Sequence, residues 1–187
     1  MKKSLCTIML IAFLILSCNS EKKKDPFHIG KQHIGLLTDS TQVKDLELVF
    51  PTDSIIKNIM GDEFIGDIND IEIYDTTTGK QLLTLTPTQS LDSTATIKSI
   101  QIIDSRYKTD KKLSTLSTFA DIKNNYKISG ISTLINSIVI SVNEINASFT
   151  IDKKELPANL QYNMDLKIEA VQIPDNAKIK YFMLYWQ

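Results

Sequence analysis

Leu37-Thr-Asp-Ser-Thr-Gln-Val-Lys-Asp-Leu46 aligns without gaps to Leu113-Ser-Thr-Leu-Ser-Thr-Phe-Ala-Asp-Ile122. Leu37 and Asp45 are identical to Leu113 and Asp121, while Thr38/Ser114, Thr41/Ser117, Val43/Phe119 and Leu46/Ile122 keep their chemical type. Self-similarity at this separation points to one supersecondary unit used twice, so each element read in one half needs a counterpart in the other. Both copies open with Ser, Thr and Asp residues suited to capping a helix N-terminus. In the second copy Leu116, Phe119, Ile122 and Tyr126 follow at helical spacing. Val43, Leu46 and Phe50 make a shorter stripe in the first copy, ended by Pro51.

Strands follow each predicted helix. Asp70-Ile-Glu-Ile-Tyr-Asp75 alternates, and Thr76 to Lys80, with Gly79, turns into Leu82-Leu-Thr-Leu-Thr86, a hairpin signal. The second half answers with Ile138 to Val142, a turn near Asn143 to Asn146, and Ser148 to Ile151. Third strands match as well: Ala95-Thr-Ile-Lys-Ser-Ile-Gln-Ile102 against Ala177-Lys-Ile-Lys-Tyr-Phe-Met-Leu184. The second copy carries extra chain over 152–175, where Leu160, Met164, Ile168 and Val171 are spaced for a short amphipathic helix. The order helix, strand, strand, strand thus occurs twice, without βαβ alternation. The expected class is α+β: two tandem helix-plus-antiparallel-meander units over 34–104 and 105–187, with helices packed on one face of an antiparallel sheet.

The N-terminus gives an address. Met1-Lys2-Lys3 is a basic start, and Leu5 to Leu16 is a charge-free run. As a helix that run would rise about 18 Å, short of the roughly 30 Å of a bilayer core. The pattern over 1–17 is that of a secretory signal peptide. Leu16-Ser17-Cys18 resembles the lipobox of bacterial lipoproteins, in which a diacylglyceryl thioether forms on the Cys and cleavage leaves it first. The resemblance implies lipid attachment at Cys18, with two or three acyl chains, enough for stable anchoring. The style of the lipobox, the frequent Ile and the use of Lys, with Arg106 as the lone Arg, resemble lipoproteins of the Bacteroidota. One Glu21 followed by three Lys lacks the acidic stretch associated with surface export there, so the expected location is the outer membrane, facing the periplasm. Residues 18–33 are expected to be the lipidated Cys and a flexible tether. Cys6 and Cys18 are the only cysteines, so the mature chain would have no free thiol.

The Leu-Thr-x-x-Thr-x-x-x-x-Leu segment followed by a meander is similar to the repeat of β-lactamase-inhibitor-protein-like modules. It also resembles the small outer-membrane-assembly lipoproteins of the SmpA/OmlA type, which hold one such unit. The resemblance covers residues 34–186 as architecture and implies a module that binds other proteins through a sheet face or loops, without catalytic residues. That family places a Gly before the helix; Gly35 stands there in the first copy and Lys111 in the second.

Little else in the sequence points to chemistry. Lys+Arg 21 against Asp+Glu 22 gives no basic surplus for a nucleic-acid partner. His28 and His33 sit at the end of the expected tether and read as linker residues rather than metal ligands or a catalytic base. No G-x-S-x-G elbow, phosphate-cradling loop, dinucleotide fingerprint or H-E-x-x-H is present, so neither catalytic residue nor cofactor nor metal is expected. Asp62, Glu63, Asp67 and Asp70 read as a solvated loop. Arg106 is expected to pair with Asp104 or Asp110.

The surface clue lies in the last strand. Phe182 and Leu184 share one face, with Trp186 on the core side; Tyr181, Met183 and Tyr185 fill the other, where the first copy has Ser99 and Gln101. Tyr and Met in a strip suit recognition, unless segment 152–175 folds over it. Glu72 and Tyr74 belong to the same outward surface. The sequence therefore predicts a lipid-anchored, non-catalytic binding module of the cell envelope. Its predicted contacts are Tyr181, Met183, Tyr185, Glu72 and Tyr74, its partners the membrane and an envelope protein. The alternatives are a structural part of an envelope assembly complex or, third, a glycan-acting hydrolase.

Overall fold

Strand alternation dominates the architecture. A computed structural model describes residues 25–57, 69–161 and 167–186. Among them, in chain order, are β1 (His28–Ile29), β2 (His33–Ile34), β3 (Leu37–Thr38), β4 (Asp53–Lys57), β5 (Ile71–Asp75) and β6 (Gln81–Pro87). There follow β7 (Ile97–Ile102), β8 (Lys108–Thr109), β9 (Gly130–Thr133), β10 (Ser137–Val142), β11 (Ala147–Asp152) and β12 (Ile179–Tyr185). The helices are α1 (Leu46–Val49), α2 (Phe119–Asn125) and α3 (Ala158–Gln161). One antiparallel sheet of eight strands runs β4-β5-β6-β7-β12-β11-β10-β9. A small second sheet runs β3-β2-β1-β8; its β1–β8 pairing is parallel and the other two are antiparallel.

The expectation of an α+β fold with helices packed across the sheet is therefore corrected: the described chain is mostly β. The reason lies in the helical stripes. The first stripe gives only a 3₁₀ turn over Val43–Asp45 and the four residues of α1 before Phe50 leaves helical geometry ahead of Pro51. In the second, Leu116 lies before α2 and is 80% exposed, so only Phe119 and Ile122 point inward from helix. Helices this short have little stability of their own and act as caps on the sheet. Two further strands, β4 and β9, widen each meander to four.

Cross-strand pairing explains where the core sits. Ile55, Ile73, Leu83, Ile102, Phe182, Phe149, Ile140 and Ile131 form one continuous apolar row through all eight strands. Its centre is fully buried, with the Phe149 and Phe182 rings 4.6 Å apart. Ile29, Ile34 and Leu37 of the small sheet, Leu46, Phe119 and Ile122 complete the same cluster.

The strand order is symmetric about the β7–β12 seam, where Ile100 pairs with Leu184, Gln101 with Met183 and Ile102 with Phe182. Aligned residues make the same bonds on either side. Val43 N–H donates to Ala95 O and Phe119 N–H to Ala177 O, both at 2.9 Å; Lys44 to Ser93 and Ala120 to Asp175 repeat this, again at 2.9 Å. Isolated bridges Gln42–Thr96 and Thr118–Lys178 correspond as well.

The described residues of segment 152–175 form a 3₁₀ turn at Lys153–Glu155, α3, and a 3₁₀ turn at Ala170–Gln172, with 167–169 non-helical, rather than one amphipathic helix. Leu160, Ile168 and Ile173 enter the core, Val171 is 88% exposed, and Met164 lies outside the described residues. Cys18, the signal segment, and Asp62, Glu63 and Asp67 of the acidic cluster also lie outside them.

Candidate functional site

Among the described residues, the face of the large sheet opposite the core is polar and mostly half-exposed, with Ser148 buried. Its central row reads Ile56, Glu72, Thr84, Gln101, Met183, Ser148, Ser141 and Gly130. An antiparallel sheet with one solvated face alternates in this way. Leu160, Ile168 and Ile173 of the insertion enter the core, and Tyr181 is 44% and Tyr185 46% exposed. All five residues expected from sequence thus share this face. Glu72 and Met183 stand in one row, three strand spacings or about 14 Å apart.

These side chains are held in place. Tyr74 donates its hydroxyl to Glu72 Oε2 at 2.9 Å, and this bond, ahead of burial, holds the phenol above its ordinary pKa. The Tyr185 hydroxyl and Ser148 Oγ are 3.1 Å apart. Lys180 Nζ lies 5.4 Å from the centre of the Tyr181 ring. Trp186 turns to the core side and is buried, its indole N–H without a partner. Preset aromatic side chains make a recognition surface at low entropic cost on binding.

A pocket of about 370 Å³ opens at another place, where the small sheet meets the edge of the large one. Phe27, Phe50 and Tyr107 give it aromatic walls, and Asp53 and Asp75 a polar rim. Burial, then the neighbouring Asp75 charge, raises the Asp53 carboxyl above its usual pKa, with Arg106 opposing. Burial likewise pushes the Tyr107 phenol well above its ordinary value. Arg106 donates to Asp104 from Nε at 3.0 Å and to Asp75 from Nη2 at 2.9 Å, and its guanidinium stacks 4.6 Å over the Phe27 ring. The expected Arg106–Asp104 pair is present; Asp75, not Asp110, is its second partner. Sequence spacing carried no sign of this pocket, because its walls come from segments about 80 residues apart and are assembled only by the β1–β8 pairing.

His28 and His33 do not trail on a linker. They flank the β1–β2 turn with His28 Nδ1 and His33 Nε2 3.1 Å apart, and His28 Nε2 lies 2.7 Å from Asp110 Oδ1. A Cβ on Gly30 would fall 2.2 Å from His33 Cε1, so glycine makes room for that ring. Among the described residues, no three His, Cys, Asp or Glu side chains group as metal ligands would. No described helix is long and apolar enough to cross a membrane.

No family model matches the chain, and no curated protein is similar to it at a significant level. Among solved structures it is similar to the uncharacterized protein yfeY from Escherichia coli, with a TM-score of 0.55 and 13% identity, covering 84% of this chain and 99% of that one. At that identity the likeness is one of fold alone.

Proposed function

We propose that the chain is a lipid-anchored, non-catalytic binding module of the cell envelope, held through Cys18 in the outer membrane and facing the periplasm. Its ligand is a protein, bound on the polar face of the eight-stranded sheet. The observation that carries this reading is a broad sheet face left uncovered among the described residues, with Tyr181 and Tyr185 standing from it and a fixed Tyr74–Glu72 pair across the seam. Tyr anchors amid small polar residues (Ser99, Gln101, Ser148) are the mixture that protein recognition favours.

The test is site-specific photo-crosslinking in intact cells. A photoreactive residue at Tyr181 is expected to give one discrete protein adduct, and the same residue at Val171, on exposed chain of the insertion, none. The reading fails if both positions give the same adducts, or if Tyr181 gives none. Cys18→Ser tests the anchor separately: the variant is expected to leave the membrane fraction.

A further inference from the structure

Asp53 and Asp75 stand directly opposite in the β4–β5 pairing, a like-charge arrangement that costs stability. Arg106 meets only one of them, Asp75, whose Oδ2 lies 2.9 Å from its Nη2. The Asp53 carboxylate has neither a hydrogen bond nor an ion pair among the described residues, and burial and the Asp75 charge both disfavour it as an anion. Strand alternation puts Asp53 on the core side with Ile55, toward the small sheet and away from the face that carries Tyr181 and Tyr185.

Both acids belong to the wall of the pocket of about 370 Å³ where the two sheets meet. Most of the remaining wall is apolar, with Phe27, Phe50 and Leu36 among its side chains. Tyr107 adds a second unsatisfied polar group. It is 2% exposed, lines the pocket, and its hydroxyl makes no hydrogen bond among the described residues. Unlike the Trp186 indole N–H, that oxygen is not sealed off, so it opens on the pocket. The Asp53 charge acts on the same phenol, which shows that the two groups converge. An apolar cavity of this size with few convergent polar groups is the common form of a small-molecule site. An unpaired carboxylate beside aromatic rings attracts an ammonium, by its charge and by the ring quadrupole. No Lys or Arg is part of the wall, so an anionic group on the ligand would find no counter-charge there.

We propose that this pocket binds a small organic amine with an apolar body, its ammonium held by Asp53 beside the Tyr107 hydroxyl. The site is independent of the sheet face that carries Tyr181 and Tyr185, and its failure would leave the protein-binding reading untouched.

The experiment is thermal unfolding of the full-length protein at neutral pH in a fixed concentration of non-ionic detergent. Phenethylamine, protonated under these conditions, is compared with its neutral isostere phenethyl alcohol and with sodium chloride at equal ionic strength. A ligand of the native state raises the midpoint with its concentration. The wild type is expected to gain several degrees from the amine and little from the alcohol or the salt. Equal effects of amine and alcohol, or no gain from the amine, would overturn the proposal. Asp53→Asn keeps the shape of the side chain and removes its charge. It is expected to need roughly tenfold more amine for the same gain, through loss of a charge-assisted hydrogen bond. An unchanged concentration dependence in that variant would refute the site. Should Asp53→Asn not fold, Leu36→Lys decides, since Leu36 lines the pocket and is 54% exposed. An ammonium placed there is expected to abolish the gain from the amine, and an unchanged gain refutes the proposal.

Discussion

Asp53 and its neighbours Asp75 and Asp104 respond to acid with opposite signs. The Asp53 pKa is raised in the folded state, chiefly by burial, above the 3.8 it has when exposed. Its folded form therefore holds the proton better than the unfolded chain does. The resulting penalty is absent below about pH 3.8, grows as the pH rises through the folded pKa and is complete above it. Asp53→Asn is expected to raise the unfolding midpoint at pH 7, with the advantage shrinking toward pH 3.5; an advantage that stays constant on acidification would contradict the account. Asp75 is lowered, first by its hydrogen bond from Arg106. At Asp104 burial pulls upward, but the Arg106 hydrogen bonds outweigh it. Their stabilisation is present above 3.8 and is lost as the pH falls through the folded values. Arg106→Met should cost on the order of 1 kcal/mol at neutral pH, with the loss fading in acid. Melting curves of both variants across pH separate the two signs. The pairing of the single Arg was half legible in the sequence, because Asp104 is its near neighbour; Asp75 comes to it through a turn 31 residues away.

At the scale of elements, the sequence was legible where alternation runs for five residues or more, as in β5, β6, β7, β10, β11 and β12. It was illegible in β1, β2, β3 and β8, because two-residue strands have no period to read. Turns gave a mixed signal. Gly79 has φ +68° with open space around its missing Cβ, whereas at Gly35, with φ +55°, a Cβ would lie 2.3 Å from the Pro26 carbonyl oxygen. Gly79→Ala should therefore cost about 1 kcal/mol, the strain of a left-handed L-residue. Gly35→Ala should lose more than twice as much, because backbone must move as well; equal losses in denaturant titrations would show that the close approach does not matter. The helix start read at the second copy is closed by a capping box of Thr118 and Asp121, in which Asp121 Oδ2 accepts the Thr118 backbone N–H at 2.8 Å. Asp121→Ala should cost about 1 kcal/mol.

For the whole molecule, the apolar row through eight strands ties both meanders to one core, so the two halves are expected to unfold together. Phe182→Ala, at the seam, should destabilise by roughly 3–5 kcal/mol and keep a single transition by circular dichroism and fluorescence alike. Separate transitions would mean that each meander is its own folding unit. The helix-packed arrangement expected from the repeat failed at this scale, since periodicity identifies elements but not their lengths. Which residues of the sheet face oppose the core was legible, because alternation on β12 fixes it; that Tyr181 and Tyr185 stay exposed was not, because it depends on where the insertion packs. The most direct test of a protein ligand on that face uses thiol labelling, since the mature chain would have no free cysteine. Tyr181→Cys and Val171→Cys are each reacted with a membrane-permeant maleimide in intact cells and after purification. The account predicts that position 181 is protected in cells and labelled when purified, while 171 is labelled in both. Equal labelling of the two positions in cells would contradict it.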